Sequence, residues 1–301
     1  MSVIFQLDIS DWYGEISGAT AERATSALEE GRVLFLPRLS FSLSESEHRF
    51  LTPSWSDERH KNISLDERGE RLGGARGQPG DLAELRALMA RFAAAAGGLM
   101  DSLHPRYGPY LRKGRTSFRP SEIAGRASSP RKDDTRLHVD AFPSSPVGGL
   151  RILRVFTNVN REQEGRLWRI GEPFEAVAQR FLPRIRPPLP GSAWLLHRLR
   201  VTRRLRSRYD DIMLQLHNQA KADSTYQRDM PQESFDFPPG TTWICYTDQV
   251  MHAAMRGRGA LEQTFYLPVQ AMRHPEMAPL RVLERLTGRM LAPAELSAPL
   301  S

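Results

Sequence analysis

His138-Val139-Asp140 places an imidazole and a carboxylate two residues apart. On an extended segment, side chains at i and i+2 point to one face, so both groups would converge on one point. His252 follows the run TTWICYTDQVM and would bring a second imidazole. Two histidines and one carboxylate on one face of an octahedral metal leave three positions open. That is the donor set of non-haem iron(II) oxygenases, with room for a chelating co-substrate and dioxygen. The same residues would also serve as a hydrogen-bonded pair at a barrel mouth with a core histidine behind it. An H-x-D arises readily by chance in a chain with eight histidines, so the motif alone is weak. Its surroundings add weight. It lies in a short β-like run between PRKDDTR and the turn PSSPVGG, and His252 is followed by the glycine turn RGRG and another strand. His48, His60, His104, His197, His217 and His274 stand in helical or loop contexts with no carboxylate at strand spacing. Surface or capping roles are expected for them.

The elements that must hold these groups follow from periodicity and punctuation. Residues 19–31 read as an amphipathic helix stopped by Gly31, and RVLFLPRL as a short buried strand. Residues 42–51 continue helically after Ser42 and Ser44 as possible caps. The stretch 60–80 is polar and glycine-rich and reads as loop. Asp81 would cap a long Ala/Leu-rich helix ending at Leu103. After Pro105, short β-branched runs alternate with Pro/Gly/Ser turns. The candidate strands are 115–120, 136–142, 150–160, 241–247 and 261–268. A long arginine-rich insert with helical stretches occupies about 162–235, and MAPLRVLERLTGRML reads as a C-terminal helix. The expected class is therefore α+β, in one domain. A helical N-terminal part (1–110) would precede a barrel-like, jelly-roll core (111–270), with a helix and tail at 271–301.

Bulk properties narrow the function. With 301 residues and 40% hydrophobic content, the chain can bury a core. The single cysteine, Cys245, sits in an apolar run and reads as a buried, inert thiol. The start, MSVIFQLDISDW, lacks the pattern of a signal peptide, and no run approaches the ~18 apolar residues of a membrane span. A soluble, cytoplasmic protein is expected. The formal charge of +7 is carried almost wholly by arginine. It points to an anionic partner (nucleic acid, acidic lipid, or a phosphorylated or carboxylated substrate) or simply to an arginine-rich composition.

Two long segments, LHVDAFPSSPVGGLRILRVFTNVN and TTWICYTDQVMHAAMRGRGALEQTFYLP, resemble the Kdo 3-hydroxylase family of iron(II)- and 2-oxoglutarate-dependent dioxygenases. The resemblance covers about 115–160 and 235–270 most closely. It implies a double-stranded β-helix core, with iron held by His138, Asp140 and His252. It implies hydroxylation at C3 of 3-deoxy-D-manno-oct-2-ulosonic acid (Kdo) in the Kdo-lipid A of lipopolysaccharide. The product would be D-glycero-D-talo-oct-2-ulosonic acid, and 2-oxoglutarate would go to succinate and carbon dioxide. The implied place of action is the cytoplasmic face of the inner membrane, with peripheral contact. Many members of the wider superfamily carry an arginine about ten residues after the distal histidine to grip the co-substrate. Here positions 262 and 263 are Glu and Gln. A buried carboxylate without a partner is expensive, and arginine's planar fork suits it best. Arg154, Phe156 and Asn158 share one face of their strand, opposite Arg151 and Leu153. Arg154 is the expected clamp, with Asn158 on its face and Arg119 as second candidate. Structural ion pairs are the competing use of both arginines.

HRLRVTRRLRSRYDD (197–211) packs six arginines between Arg198 and Arg208, with Trp194, Leu195, Leu196 and Leu199 beside them. That composition fits an acidic membrane surface or a solvated helix face. Arg126, Arg131, Lys132 and Arg136 precede the H-x-D. Of these, Arg126 and Arg136 are weaker candidates for substrate carboxylates. Two other functions compete with the hydroxylase. One is an oxygenase acting on nucleic acid, which would need base-stacking aromatics; no base-reading motif is evident, and nucleic acid is not expected. The other is a metal-free cupin-like module that binds anionic glycolipid.

Overall fold

The computed structural model describes residues 2–57, 59–123, 129, 131, 133–162 and 164–292. Its strands are β1 (Ile4–Gln6), β2 (Val33–Leu36), β3 (Ile63–Leu65), β4 (Leu72–Gly73), β5 (Arg112–Arg119), β6 (Arg151–Asn158), β7 (Arg166–Gly171), β8 (Gln232–Phe237), β9 (Thr242–Tyr246), β10 (His252–Ala254) and β11 (Ala260–Leu267). Its α-helices are α1 (Gly18–Glu29), α2 (Pro79–Leu103), α3 (Phe174–Phe181), α4 (Ser192–Arg198), α5 (Arg208–Ala222), α6 (Ser224–Asp229) and α7 (Pro279–Thr287). The fold is mixed α and β with one large sheet. Eight strands run in the order β1-β2-β9-β6-β11-β5-β3-β4, and three more form a small sheet, β10-β7-β8.

The two faces of the large sheet bury different things. Leu153 and Val155 of β6, with Ile244, Tyr246, Leu261 and Phe265, pack against α1 and α2 in the main apolar cluster. On the opposite face Phe35, Phe156 and Trp243 meet Trp168, Ile170 and Phe237 of the small sheet. There Phe156 stacks on Trp243 at 5.2 Å and Trp243 on Phe237 at 4.2 Å. With helices on one side and a sheet on the other, every residue of β6 is buried. Its apolar residues therefore run continuously across both faces, interrupted by Arg151 and Arg154 and ending in Thr157 and Asn158.

Several local expectations change. The run 136–142 joins no ladder; His138 makes an isolated antiparallel bridge with His252. The segment 162–235 is not only helical, since it supplies β7 and β8 to the small sheet. The first 110 residues contribute four strands as well as helices, and the polar stretch 60–80 contains the β3–β4 pair. Asp81 does not cap α2. That helix starts at Pro79, the usual place for proline, and Asp81 pairs with Arg49 at 2.9 Å. The end of α1 is as read, with Gly31 following at φ +83°, which suits glycine; at its start Ser17, not singled out in the sequence, is the cap. Cys245 is fully buried.

Candidate metal centre

His138 and His252 come together because their backbones bond in both directions, each N–H to the other's carbonyl at 3.0 Å. Two residues on, the Asp140 N–H donates to Thr247 O at 2.7 Å, which fixes the carboxylate on the same side. The ligand atoms of His138, Asp140 and His252 all lie within 4.8 Å of one another, and all three residues are buried. The Nδ1–H of His138 donates to Arg136 O at 2.7 Å, and that of His252 to Val250 O at 2.8 Å. Each ring is thereby held in the tautomer that leaves Nε2 unprotonated and available to a metal.

Electrostatics favour the ligating forms. Burial, and then the neighbouring His252, push His138 well below the ordinary histidine range. Burial lowers His252 as well. Burial alone would raise Asp140, but Arg154, and after it the two histidines, outweigh burial and hold it well below the usual carboxylate range. At neutral pH the site offers two neutral imidazoles and a carboxylate, which is what a divalent transition metal takes.

The triad opens on a cavity of about 200 Å³ whose wall includes Arg119, Arg154, Arg166, Phe156 and Trp168. Arg154 reaches Asp140 at 3.1 Å and Glu262 at 3.2 Å. Arg119 donates to the other Glu262 oxygen at 2.6 Å and lies 3.6 Å from Asp134, which also pairs with Lys61. Glu262 therefore sits between the two arginines, where the superfamily pattern had suggested a cation. Arg166 is 2% exposed and donates to Gly257 O at 3.1 Å; it has no carboxylate within ion-pair distance among the described residues. Burial, then the nearby Arg119, lowers it to about 9. The Nε of all three arginines and the indole N–H of Trp168 lack a partner among the described residues. Buried donors without acceptors are costly. A dianion entering the cavity would supply the acceptors.

The two arginines singled out in the sequence both line this cavity, and Arg151 lies on the opposite face, as period two requires. Asn158 does not line it. Its amide donates to Phe237 O at 3.0 Å and its oxygen accepts from Asn160 N–H at 3.0 Å, so the side chain ties a strand end. Arg136 is turned to Lys221 O at 2.8 Å and to Asp133 at 3.4 Å, away from the cavity. Arg126 and Lys132 lie outside the described residues. Sequence reading missed Arg166 as a site residue, although the alternation in RLWRI places Arg166 and Trp168 on one face. It also misplaced His217, which on α5 packs edge-on against His138 with centroids 5.0 Å apart. His104 takes the capping role expected for it, at the C-terminal end of α2, but is buried there, with Thr25 Oγ1 2.8 Å from its Nδ1.

The sequence profile of the 3-deoxy-D-manno-oct-2-ulosonic acid (Kdo) hydroxylase family matches residues 11–290. The chain is also similar to solved structures of the Kdo hydroxylase KdoO, described as a non-heme Fe(II) alphaketoglutarate dependent dioxygenase. Against the cobalt(II) complex the identity is 48% over 97% of this chain and 98% of that one, with a TM-score of 0.95. Against the complex with alphaketoglutarate and Fe(III) it is 47% over 99% of each chain, with a TM-score of 0.94. Against the complex with succinate and Fe(III) it is 47% over 97% and 98%, with a TM-score of 0.94. No curated protein sequence matches the chain.

Proposed function

The chain belongs to the Kdo hydroxylase family, and from that membership we infer that it is an iron(II)- and 2-oxoglutarate-dependent dioxygenase that hydroxylates Kdo at C3 in Kdo-lipid A. The observation that carries the reading is the buried His138–Asp140–His252 cluster facing a cavity with spare arginine donors. The large and small sheets would be the two sheets of a double-stranded β-helix.

His138, Asp140 and His252 would hold iron. Arg119, Arg154 and Arg166 would receive the two carboxylates of 2-oxoglutarate, with the Trp168 indole N–H as a further donor. Bound iron supplies the dioxygen chemistry, in which 2-oxoglutarate and O2 give succinate, carbon dioxide and one oxygen atom for the substrate C–H bond. The protein's share is position and charge. Asp140 stays ionised beside Arg154, both histidines stay neutral with Nε2 inward, and Phe156 and Trp168 supply one aromatic wall of an otherwise polar cavity. A binding module without metal would have no use for this combination.

The arginine-rich insert supports a lipid-anchored substrate. Six of the nine exposed large hydrophobic residues among those described fall between Leu189 and Leu205, including Trp194 at 62%, Leu199 at 63% and Leu205 at 58% exposure. They share that stretch with the exposed Arg198, Arg200, Arg203 and Arg204. The stretch is tied to the segment that follows Asp140: Arg203 N–H donates to Ser144 O at 2.9 Å and Arg206 to Pro143 O at 2.7 Å. No helix among the described residues is long and apolar enough to cross a membrane. We therefore assign this patch to peripheral contact with an acidic bilayer, at the cytoplasmic face where Kdo-lipid A would be presented.

The test is purified protein on Kdo-lipid A with iron(II), 2-oxoglutarate and air. A gain of about 16 Da on Kdo, one oxygen atom, with matching succinate is the expected result. Turnover of 2-oxoglutarate with Kdo unchanged would remove the substrate assignment while keeping the enzyme class. Replacing the exposed Arg198, Arg203 and Arg204 by glutamine should weaken binding to anionic vesicles by ~100-fold, at about 1 kcal/mol per charge, with iron loading intact. A triple variant that keeps vesicle binding but loses DNA binding would instead favour an oxygenase of nucleic acid.

A further inference from the structure

Residues 133–140 carry two of the three proposed ligands, yet this limb has a strand neighbour on one side only. Its even-numbered groups bond inward. Ala254 N–H donates to Asp134 O at 2.9 Å, His138 exchanges two bonds with His252, and Asp140 N–H donates to Thr247 O. Past the turn at 134–136 the chain is extended, and its odd-numbered groups face the other way, where an ordinary sheet would place a second strand. Here side chains stand in that place. Arg169 donates to Thr135 O at 2.8 Å, and His217 Nδ1–H to Val139 O at 2.8 Å. Between them, Leu137 N–H donates to Gln227 Oε1 at 2.8 Å while Gln227 Nε2 donates back to Leu137 O at 3.0 Å.

We propose that Gln227 is a positioning residue for the metal centre: its amide acts as the missing neighbouring strand and holds Leu137, and with it His138 and Asp140, in ligating register. This rests on the metal-centre reading above. An amide is suited to the task because it alone among uncharged side chains offers a planar donor and acceptor matching a peptide edge. Leu137 is fully buried, so water cannot replace either bond. Gln227 is itself fixed. Its Nε2 also donates to Ala220 O at 2.8 Å, and its backbone carbonyl accepts from Gln232 Nε2 at 3.3 Å. Asp223 caps the short helix α6 that carries it. The limb is thus gripped by the insert that also bears the exposed arginine patch.

The same helix pair provides a control. Gln215 on α5 makes the identical two-way contact with Arg186, whose N–H donates to Oε1 at 3.0 Å and whose carbonyl accepts from Nε2 at 2.8 Å, but there it holds chain remote from the triad. The experiment titrates Co(II) into apo protein and follows its ligand-field absorption. Gln227→Leu should weaken Co(II) binding ~10–100-fold, the range for residues that orient metal ligands, and should shift the absorption bands. Gln215→Leu should leave both unchanged. Gln227→Glu keeps the acceptor for Leu137 N–H but loses the donor, so it should fall between, and it carries the comparison if the leucine variant does not fold. Wild-type affinity and spectrum in a folded Gln227 variant, or an equal loss in Gln215→Leu, would overturn the proposal. A wild-type protein that binds no Co(II) would refute the metal centre itself, a distinct outcome that takes both readings with it.

Discussion

Strand β6 buries one arginine on each face, and the two are treated differently. On the helix side, Arg151 donates from Nε to Asp248 at 2.8 Å, from Nη2 to Gln249 at 2.6 Å and from Nη1 to the Met272 sulfur at 3.1 Å, and it lies 3.7 Å from the Tyr246 ring. Every nitrogen is used, and Arg151 does not line the cavity at the triad. On the small-sheet side, Arg154 joins Arg119 and Arg166 around a cavity, and each keeps an idle Nε. A buried guanidinium with all its donors engaged is structure. Three that are incompletely engaged beside a void imply an anion. A divalent metal at the triad would add to this positive surplus and strengthen the demand for a doubly charged co-substrate.

The sharpest way to test that contrast is to remove the triad. His138→Ala, Asp140→Ala or His252→Ala should each cut 2-oxoglutarate turnover by on the order of 1,000-fold or more, since even outer partners of ligands cost ~10–100-fold. Circular dichroism should stay native, because the helix-side network is untouched. If His252→Ala keeps normal iron content, the third donor is misassigned, and His217 is the next histidine to replace.

The second test sets the two arginine types against each other. Arg154→Met and Arg166→Met should weaken 2-oxoglutarate binding by about 2–5 kcal/mol, the loss when a charged partner is left unpaired. Iron binding should suffer less. Arg151→Met should do the reverse: about 3–5 kcal/mol of stability lost because Asp248 is stranded, with the 2-oxoglutarate midpoint of the folded fraction unmoved. A titration in which Arg151→Met shifts that midpoint as far as Arg154→Met would erase the distinction between the faces.

The smallest effect concerns acid. His104, buried on the helix side, is pushed down to about 3 by burial. Its folded value is depressed, so the fold favours the neutral ring. That contribution is fully present above the unfolded value of about 6.5 and is lost as pH falls from there toward 3. The unfolded chain binds the extra proton, which costs about 1.4 kcal/mol per pH unit. Unfolding of the metal-free protein at pH 6.5 and 5.0 should therefore show a shallower dependence in His104→Gln than in wild type. Co(II) should leave this difference alone, since it acts on the other face; identical slopes would mean His104 is not buried neutral in solution.

How much of this could be read from residues alone depended on the period of the signal. Arg151 and Arg154 were sorted onto opposite faces by a period of two, and β5, β6, β9 and β11 stand close to where their β-branched runs put them. The His138 limb was read as a strand because its pattern is that of one. Its outer edge is satisfied by Gln227, His217 and Arg169, and no local pattern announces that distant side chains will replace a ladder. Arg166 escaped because β7 sits in a segment dominated by helical composition. Asn158 was placed on the correct face but lies at the strand end, where backbone groups claim its amide.

The β7–β8 pairing has a consequence for how such a protein could diversify. Gly171 stands opposite Gln232, so residues 172–231 leave and re-enter the sheet at neighbouring points and are, in topology, one enlarged hairpin loop. Lengthening a loop whose ends are already pinned costs little, about 0.6 kcal/mol for each doubling of a flexible segment. Evolution can therefore redraw the exposed surface around α4 almost freely. The exceptions are α3, whose Phe174, Val177 and Phe181 lie in the main core, and the α5–α6 corner, where any replacement must still offer an amide to Leu137. Lineages that change substrate should vary the middle of this loop and leave its two ends nearly fixed.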